Sequence, residues 1–490
     1  MSPFIQYMTE KKLPHPLISF IPLLVLIGLL AVVISIFGSD SLEGGSQMAL
    51  LMGMAVCISI SMAVYKVRWK TFEKQIMKTL GGVSITLLIL LTVGMLSGSW
   101  MVSGIVPTLI YYGVQIMSPQ FFLFSSCIIC ALVSLLSGSS WTTIATIGVA
   151  LLGIGHVLGV SEAWAAGAII SGAYFGDKMS PLSDTTILAS SASGTDLFVH
   201  IRYMVYTTVP SFVIALIIFF VVGFSGHDEV EVDVYQYTEG LSHTFNISLW
   251  TLLVPVLTGV LIARRVPSLI TLFASSVMAG VVALILQPHV LCEIAGSSTM
   301  SYAATLTRGL AQMYYGATAV ETGNASLNEL VSTGGMAGML NTIWLIICAM
   351  CFGAVMVASG MIDSITQVIA RFVHSRFSLV SSTVGTGIFF NIATGDQFIS
   401  IVLTADMYRA IFHEQGYENR LLSRTTEDAA TVTSVLVPWN TCGMTQSTVL
   451  GVPTLTYLPY CFFNLLSPFM AILMAAIGWK IKRQLPPKEC

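Results

Sequence analysis

Charge is what this sequence most lacks. Of 490 residues, 21 are basic and 24 acidic, 9% together, against 55% hydrophobic. The mean hydropathy is +0.84. A soluble domain is about 25% charged, so the shortage excludes a water-soluble enzyme and a disordered chain. It equally excludes a nucleic-acid binder, which needs a basic face. From Thr79 to Ser161 there is no Asp, Glu, Lys or Arg at all. What remains is an all-α polytopic membrane protein with the lipid bilayer as its solvent. The few charges inside apolar stretches are then where function should be sought.

A cleaved leader is not expected. Lys11 and Lys12 precede an uncharged run, 17–37, long enough to span a bilayer and too long for a signal-peptide core. The nine cysteines sit mostly in apolar runs. Cys127/Cys130 and Cys348/Cys351 have CxxC spacing without an accompanying His, and read as small buried hydrophobes. No cofactor is expected.

Cytoplasmic loops are enriched in Lys and Arg. Lys11 and Lys12 place the N-terminus inside. Asp40 and Glu43 mark an outer loop, and Lys66, Arg68, Lys70, Lys74 and Lys78 an inner one, with a third helix over 79–103. Arg264 and Arg265 lie inside, 228–246 is an outer polar linker, and Lys480, Lys482 and Arg483 keep the C-terminus inside. Segment 288–339 reads as an outer, partly helical insert. Asn246 and Asn324 match a glycosylation pattern that carries no weight here.

Two polar stretches, 104–202 and 361–455, resemble each other. Gly138 matches Gly395 and Pro181 matches Pro438, both pairs 257 positions apart, and Gly104 matches Gly360 at 256. Opposite directions for their leading helices make the repeats inverted, the architecture of many secondary transporters. The reading is ten crossings plus, in each half, a re-entrant hairpin and a broken helix. The first repeat is 1–227, with hairpin 121–159 and broken helix 163–196. The second is 247–490, with hairpin 377–413 and broken helix 427–452. Non-helical backbone at membrane depth must be buried or line a wet cavity.

The richest stretch is 175–186. It places Asp177, Lys178, Ser180, Ser183, Asp184, Thr185 and Thr186 around Pro181. A hard cation such as Na+ wants oxygen ligands, and a carboxylate removed from water takes a proton when no cation is bound. Competition of Na+ and H+ for Asp184 and Asp177, with Thr185 and Ser183, is the minimal antiport mechanism. The plainer reading pairs these acids with Lys178 or with helix ends. Ser137, Ser139 and Ser140 occupy the first hairpin tip. The second tip offers Asn391, Thr394, Asp396 and Gln397, and the second break Asn440 and Thr441. Asp396 joins the ion- and proton-binding group. Glu427 and Asp428, near Arg420 and Arg424, read as acids at a helix start or gate. His156 reads as a packing residue.

These motifs carry a resemblance. GDKMSPLSDTT (176–186), GTDLFVHIRYM (194–204), NIATGDQF (391–398), LSRTTEDAATVTSVLVPWNTCG (422–443) and LGVPTLTYLPYCFFNLLSP (450–468) are similar to the signature of the NhaC-type sodium/proton antiporter family, within the wider ion-transporter superfamily. ETG (321–323) and STGGM (332–336) extend the match. The resemblance implies a prokaryotic cytoplasmic-membrane secondary transporter, a homodimer with a mobile transport domain, exchanging Na+ or Li+ for H+. It places Asp177, Ser183, Asp184 and Thr185 on the first motif, and Thr394, Asp396, Asn440 and Thr441 on the later ones. The family pattern usually carries Asn where this chain has Ile187.

Some members of the family resemble exchangers of malate and protons for lactate and sodium, or carriers of amino acids such as methionine. A Na+-coupled carrier of a small organic acid or amino acid is therefore the alternative. Trp141 and Trp439 could line an organic pocket. The lack of a dense basic patch favours cations or a monovalent substrate. A membrane enzyme using Asp177 and Asp396 as an acid/base pair is the remote alternative, and a channel fits the repeats poorly.

Overall fold

The computed structural model describes residues 13–37, 44–225, 234–296, 301–370, 373 and 375–481. Among them there is no strand beyond one isolated bridge, Thr318 to Thr333. Among the described residues nine helices are long and apolar enough to cross a membrane, or up to 11 if two sharply bent pairs count as spans. The chain is thus an all-α polytopic membrane protein. Lys11, Lys12, Asp40, Glu43, Asp228, Lys482 and Arg483 lie outside the described residues.

The helix bounds recur 257 residues apart. Pro119–Ser137 is followed later by Arg376–Thr394. The paired arm Ser140–Val157 has its counterpart in Gln397–Glu414. Asp184–Ser193 corresponds to Thr441–Leu450. Local chemistry accounts for these bounds. Pro119 sits at the first helical turn, and Gly138 and Gly395 end their helices at φ 68 and 67, a left-handed conformation that glycine adopts without strain. Ser139 and Asp396 then cap the next helices, accepting from the backbone N–H of Thr142 and Ile399. Each pair of arms therefore turns on two residues.

The interrupted helices break for a different reason. Proline disfavours the helical conformation in the residue before it and cannot donate an N–H. Ser180, before Pro181, is extended at φ −84, ψ 131. Val437, before Pro438, is extended at φ −100, ψ 116. Helix Glu162–Met179 resumes as Asp184–Ser193, capped by Ser183, and the later one resumes as Thr441–Leu450, capped by Asn440.

Several bounds differ from the sequence expectation. The third helix is Trp69–Val102, 34 residues long. Lys70, Lys74 and Lys78 are exposed on its first turns rather than in a loop, since nothing there breaks a helix and lysines keep their heads in water. The second interrupted helix starts at Asn419, not 427, and carries a π-helical turn at Glu427–Thr431. Within 228–246, Val234–Thr244 is a helix, held by burial of Leu241. It bends by 86° into the helix ending at Ala263. The 288–339 insert is mostly helical, with Pro288–Ala295 and Tyr302–Tyr315 as its longest pieces.

The apolar core has two main clusters. One joins the first helix pair, helix Glu162–Met179 and the insert. The other joins the first two helices to Leu340–Ala358 and the second helix pair. Helix Glu162–Met179 lies against Pro119–Ser137 almost backbone to backbone. A Cβ on Gly172 would come within 2.1 Å of the Cys127 carbonyl oxygen, and one on Gly176 within 2.3 Å of that of Ala131. Only glycine permits this approach, which presses the first break against the first tip.

Candidate functional site

The first tip and the first break meet at Asp177. Its Oδ2 accepts from the backbone N–H of Ser140 at 3.2 Å and from the Ser140 hydroxyl at 2.7 Å. Asp177 is 6% exposed. Across the break, the hydroxyls of Ser183 and Thr185 are 2.9 Å apart. The Thr186 hydroxyl donates to the Lys178 carbonyl oxygen at 3.2 Å, closing the frayed end of the first segment. Ser180 is buried and its hydroxyl accepts from the Leu182 N–H, so it shapes the turn.

In the second half the acid and the hydroxyl exchange places. Asp396 sits at the tip, 2% exposed. Its Oδ1 accepts from the Ile399 N–H at 2.9 Å and its Oδ2 from the Thr441 hydroxyl at 3.3 Å. Asn391 donates to the Ala430 carbonyl oxygen at 2.7 Å, and Asn440 donates to that of Asn391 at 3.1 Å. Thr394 donates to the Phe390 carbonyl oxygen. Gln397 Oε1 accepts from the Cys442 thiol at 2.5 Å, and Trp439 donates to the Ile392 carbonyl oxygen at 2.7 Å. These polar side chains tie the second tip to the second break.

One open cavity of about 610 Å³ reaches the first tip and break. Ser137, Ser139, Asp177, Ser183, Asp184, Thr185 and Gln397 line it, with Trp141 and Phe398 as apolar wall. Asp184 is exposed within it. Thr86 and its neighbours on helix Trp69–Val102, and Arg265 to Ser268, also line it. Ser140, Ser180, Asn391, Thr394, Asp396, Asn440 and Thr441 are not on the cavity wall. The structure thus brings Asp177, Asp184 and Thr185 to one cavity and leaves Asp396, at the second tip, off its wall. Ile187 is 42% exposed and also off that wall.

A second group of charges is joined in a way the sequence reading missed. Lys178 does not pair with its neighbour Asp177; it pairs with Asp428, and both side chains are fully buried. The Thr207 and Ser467 hydroxyls also reach Asp428 Oδ1, at 3.0 and 3.1 Å. Arg424 Nε lies 3.8 Å from Asp428 Oδ2, with its guanidinium 4.7 Å from the Tyr203 ring. Glu427 is fully buried; its Oε1 accepts from the Thr185 hydroxyl at 3.3 Å, while its Oε2 has no hydrogen-bond partner. Glu427 and Asp428 are therefore not acids at a helix start. They occupy a π-helical turn in mid-helix, a distortion frequent at functional sites. His156 is half-buried and pairs with Glu162 at 3.1 Å.

Among the described residues the buried Asp, Glu, Lys and Arg side chains are Asp177, Asp396, Glu427, Asp428, Lys178 and Arg424. Four acids face two bases. Buried charge is tolerated only when compensated, and here buried acid exceeds buried base by two.

The profile of the Na+/H+ antiporter family matches residues 172–479, which include both breaks and the second tip. The Na+/H+ antiporter NhaC of Alkalihalophilus pseudofirmus is 38% identical over 429 residues, 87% of this chain and 89% of that one. The malate-2H+/Na+-lactate antiporter of Bacillus subtilis is 35% identical, covering 80% of this chain and 81% of its own length. The arginine/ornithine antiporter ArcD of Halobacterium salinarum is 33% identical over 96% of this chain and 94% of its own length. A profile match over residues 172–479 and relatives of 33–38% identity over most of the chain settle the family: the chain belongs to the Na+/H+ antiporter family and is a transporter, not an enzyme.

Proposed function

We propose that the chain exchanges Na+ or Li+ for H+ across the prokaryotic cytoplasmic membrane by alternating access, with both termini inside. The observation that carries this reading is the cavity at the first break. There Asp184 stands exposed beside Asp177, Ser183 and Thr185, an all-oxygen set suited to a hard cation. A carboxylate that holds either a cation or a proton, and not both, couples the two fluxes. The excess of buried acid makes loading with positive charge a condition for leaving water. The similarity to NhaC supports the same exchange.

The test is a pair of assays on everted vesicles acidified in the lumen. Addition of Na+ or Li+ should discharge the proton gradient, and Asp184→Asn should abolish the discharge while the protein still inserts. Vesicles indifferent to both ions at every pH where the gradient holds would sink the exchange. A second reading is favoured by the cavity, which is large for a bare ion and within the roughly 300–1,000 Å³ of organic-ligand sites: Na+-coupled exchange of a small organic acid or amino acid. The malate/lactate and arginine/ornithine relatives are compatible with it. Accumulation of labelled substrate under a Na+ gradient distinguishes the two.

A further inference from the structure

Arg265 lines the same cavity as Asp184. Among the residues that line it, Arg265 is the sole cation. It sits in a tight turn after the helix ending at Ala263, at φ 60, where its N–H donates to the Ile262 carbonyl oxygen and that of Val266 to Leu261. A non-glycine residue at positive φ is uncommon and carries strain. Here the turn sets the arginine among the residues that line the cavity.

Neither the Arg265 guanidinium nor the Asp184 carboxylate has a side-chain hydrogen-bond or ion-pair partner among the described residues. They are therefore more than 4.0 Å from each other. One cavity thus presents a free cation and a free anion on different elements, with Trp141 and Phe398 as apolar wall. An ion site alone uses the carboxylate and leaves the arginine idle. Arginine presents a planar fork of donors that matches a carboxylate in two parallel hydrogen bonds.

The geometry points to Arg265 as the anchor for a small carboxylate, carried with its positive charge against Asp184. That charge is either a Na+ ion accompanying a hydroxy acid or the ammonium group of an amino acid. The assignment rests on the cavity being the transport site proposed above, and it names the organic co-substrate and the residue that selects it. Ser137, Ser139 and Gln397 supply further polar groups on the cavity wall.

Four probes test it on the full-length protein in detergent: L-lactate, L-alanine and their amides, lactamide and alaninamide, titrated with and without Na+. The amides keep shape and lose the carboxylate. Binding of an acid but not of its amide is the expected result. Lactate binding that requires Na+ assigns the hydroxy-acid form, and alanine binding without Na+ the zwitterion. Arg265→Gln should weaken the acid about ten- to a hundredfold, the usual loss for a charged hydrogen bond, and Arg265→Lys should restore part of it. Equal affinity of acid and amide, wild-type affinity in Arg265→Gln, or no binding of any probe to wild-type protein overturns the assignment. Na+-driven proton movement measured on the same wild-type preparation in liposomes separates the two failures: if it persists, the exchange stands and only the carboxylate anchor falls.

Discussion

Ser140 donates twice to one oxygen of Asp177, through its backbone N–H and its hydroxyl. The first tip is thereby fastened to the first break by a single carboxylate oxygen. Ser140→Ala keeps the N–H and deletes the 2.7 Å hydroxyl contact. A hydrogen bond to a charged group contributes about 1.5–3 kcal/mol. A fall of that size in unfolding free energy, read by thermal melting in detergent, is expected together with slower Na+-driven proton exchange. Unchanged melting would show that the contact does not hold the folded protein together.

Asp396 both caps a helix and carries charge, and substitution separates the two. Asn caps as well as Asp, whereas Ala costs about 1 kcal/mol. Asp396→Asn should melt like the wild type yet lose Na+-dependent exchange, while Asp396→Ala should lose stability as well. If Asp396→Asn exchanges normally, the charge at the second tip is dispensable.

Lys178 and Asp428 are buried together. Removing one partner of such a pair costs about 3–5 kcal/mol, and replacing both by apolar groups is often neutral. Asp428→Leu alone should reduce expression and melting temperature sharply. The double variant Lys178→Met/Asp428→Leu should recover much of the loss. Additive losses in the double variant would contradict the pairing.

Gly138 turns the first tip at φ 68, and a Cβ there would meet the Leu182 backbone at 2.7 Å. Gly138→Ala is expected to lower melting and exchange together. Gly81, with open space around it in a helix, is the control: Gly81→Ala should be neutral or stabilising by about 0.5–1 kcal/mol.

Much of the site's outline was legible because prolines and glycines punctuate it. Pro181 and Pro438 mark the breaks, Gly138 and Gly395 the tips, and the acids beside them stand out in apolar surroundings. The helix-start reading of Glu427 and Asp428 failed for a physical reason. The run from Arg420 to Thr433 is polar enough to resemble a water-facing helix start. Its burial depends on partners some 250 residues away, Lys178 and Thr185, which no local pattern encodes. Arg265 was legible only as a marker of a basic loop, because the cavity it faces is assembled by distant helices.

The tie between Lys178 and Asp428 also constrains motion. It joins one interrupted helix to the other across the two halves of the chain. Sliding these helices past each other by a single turn, about 5.4 Å, would strip Lys178 of its counter-charge and leave Asp428 with Arg424 of its own helix alone. Such a slip is far dearer than moving the assembly whole. The two interrupted helices are thus pinned to each other in register by one buried ion pair.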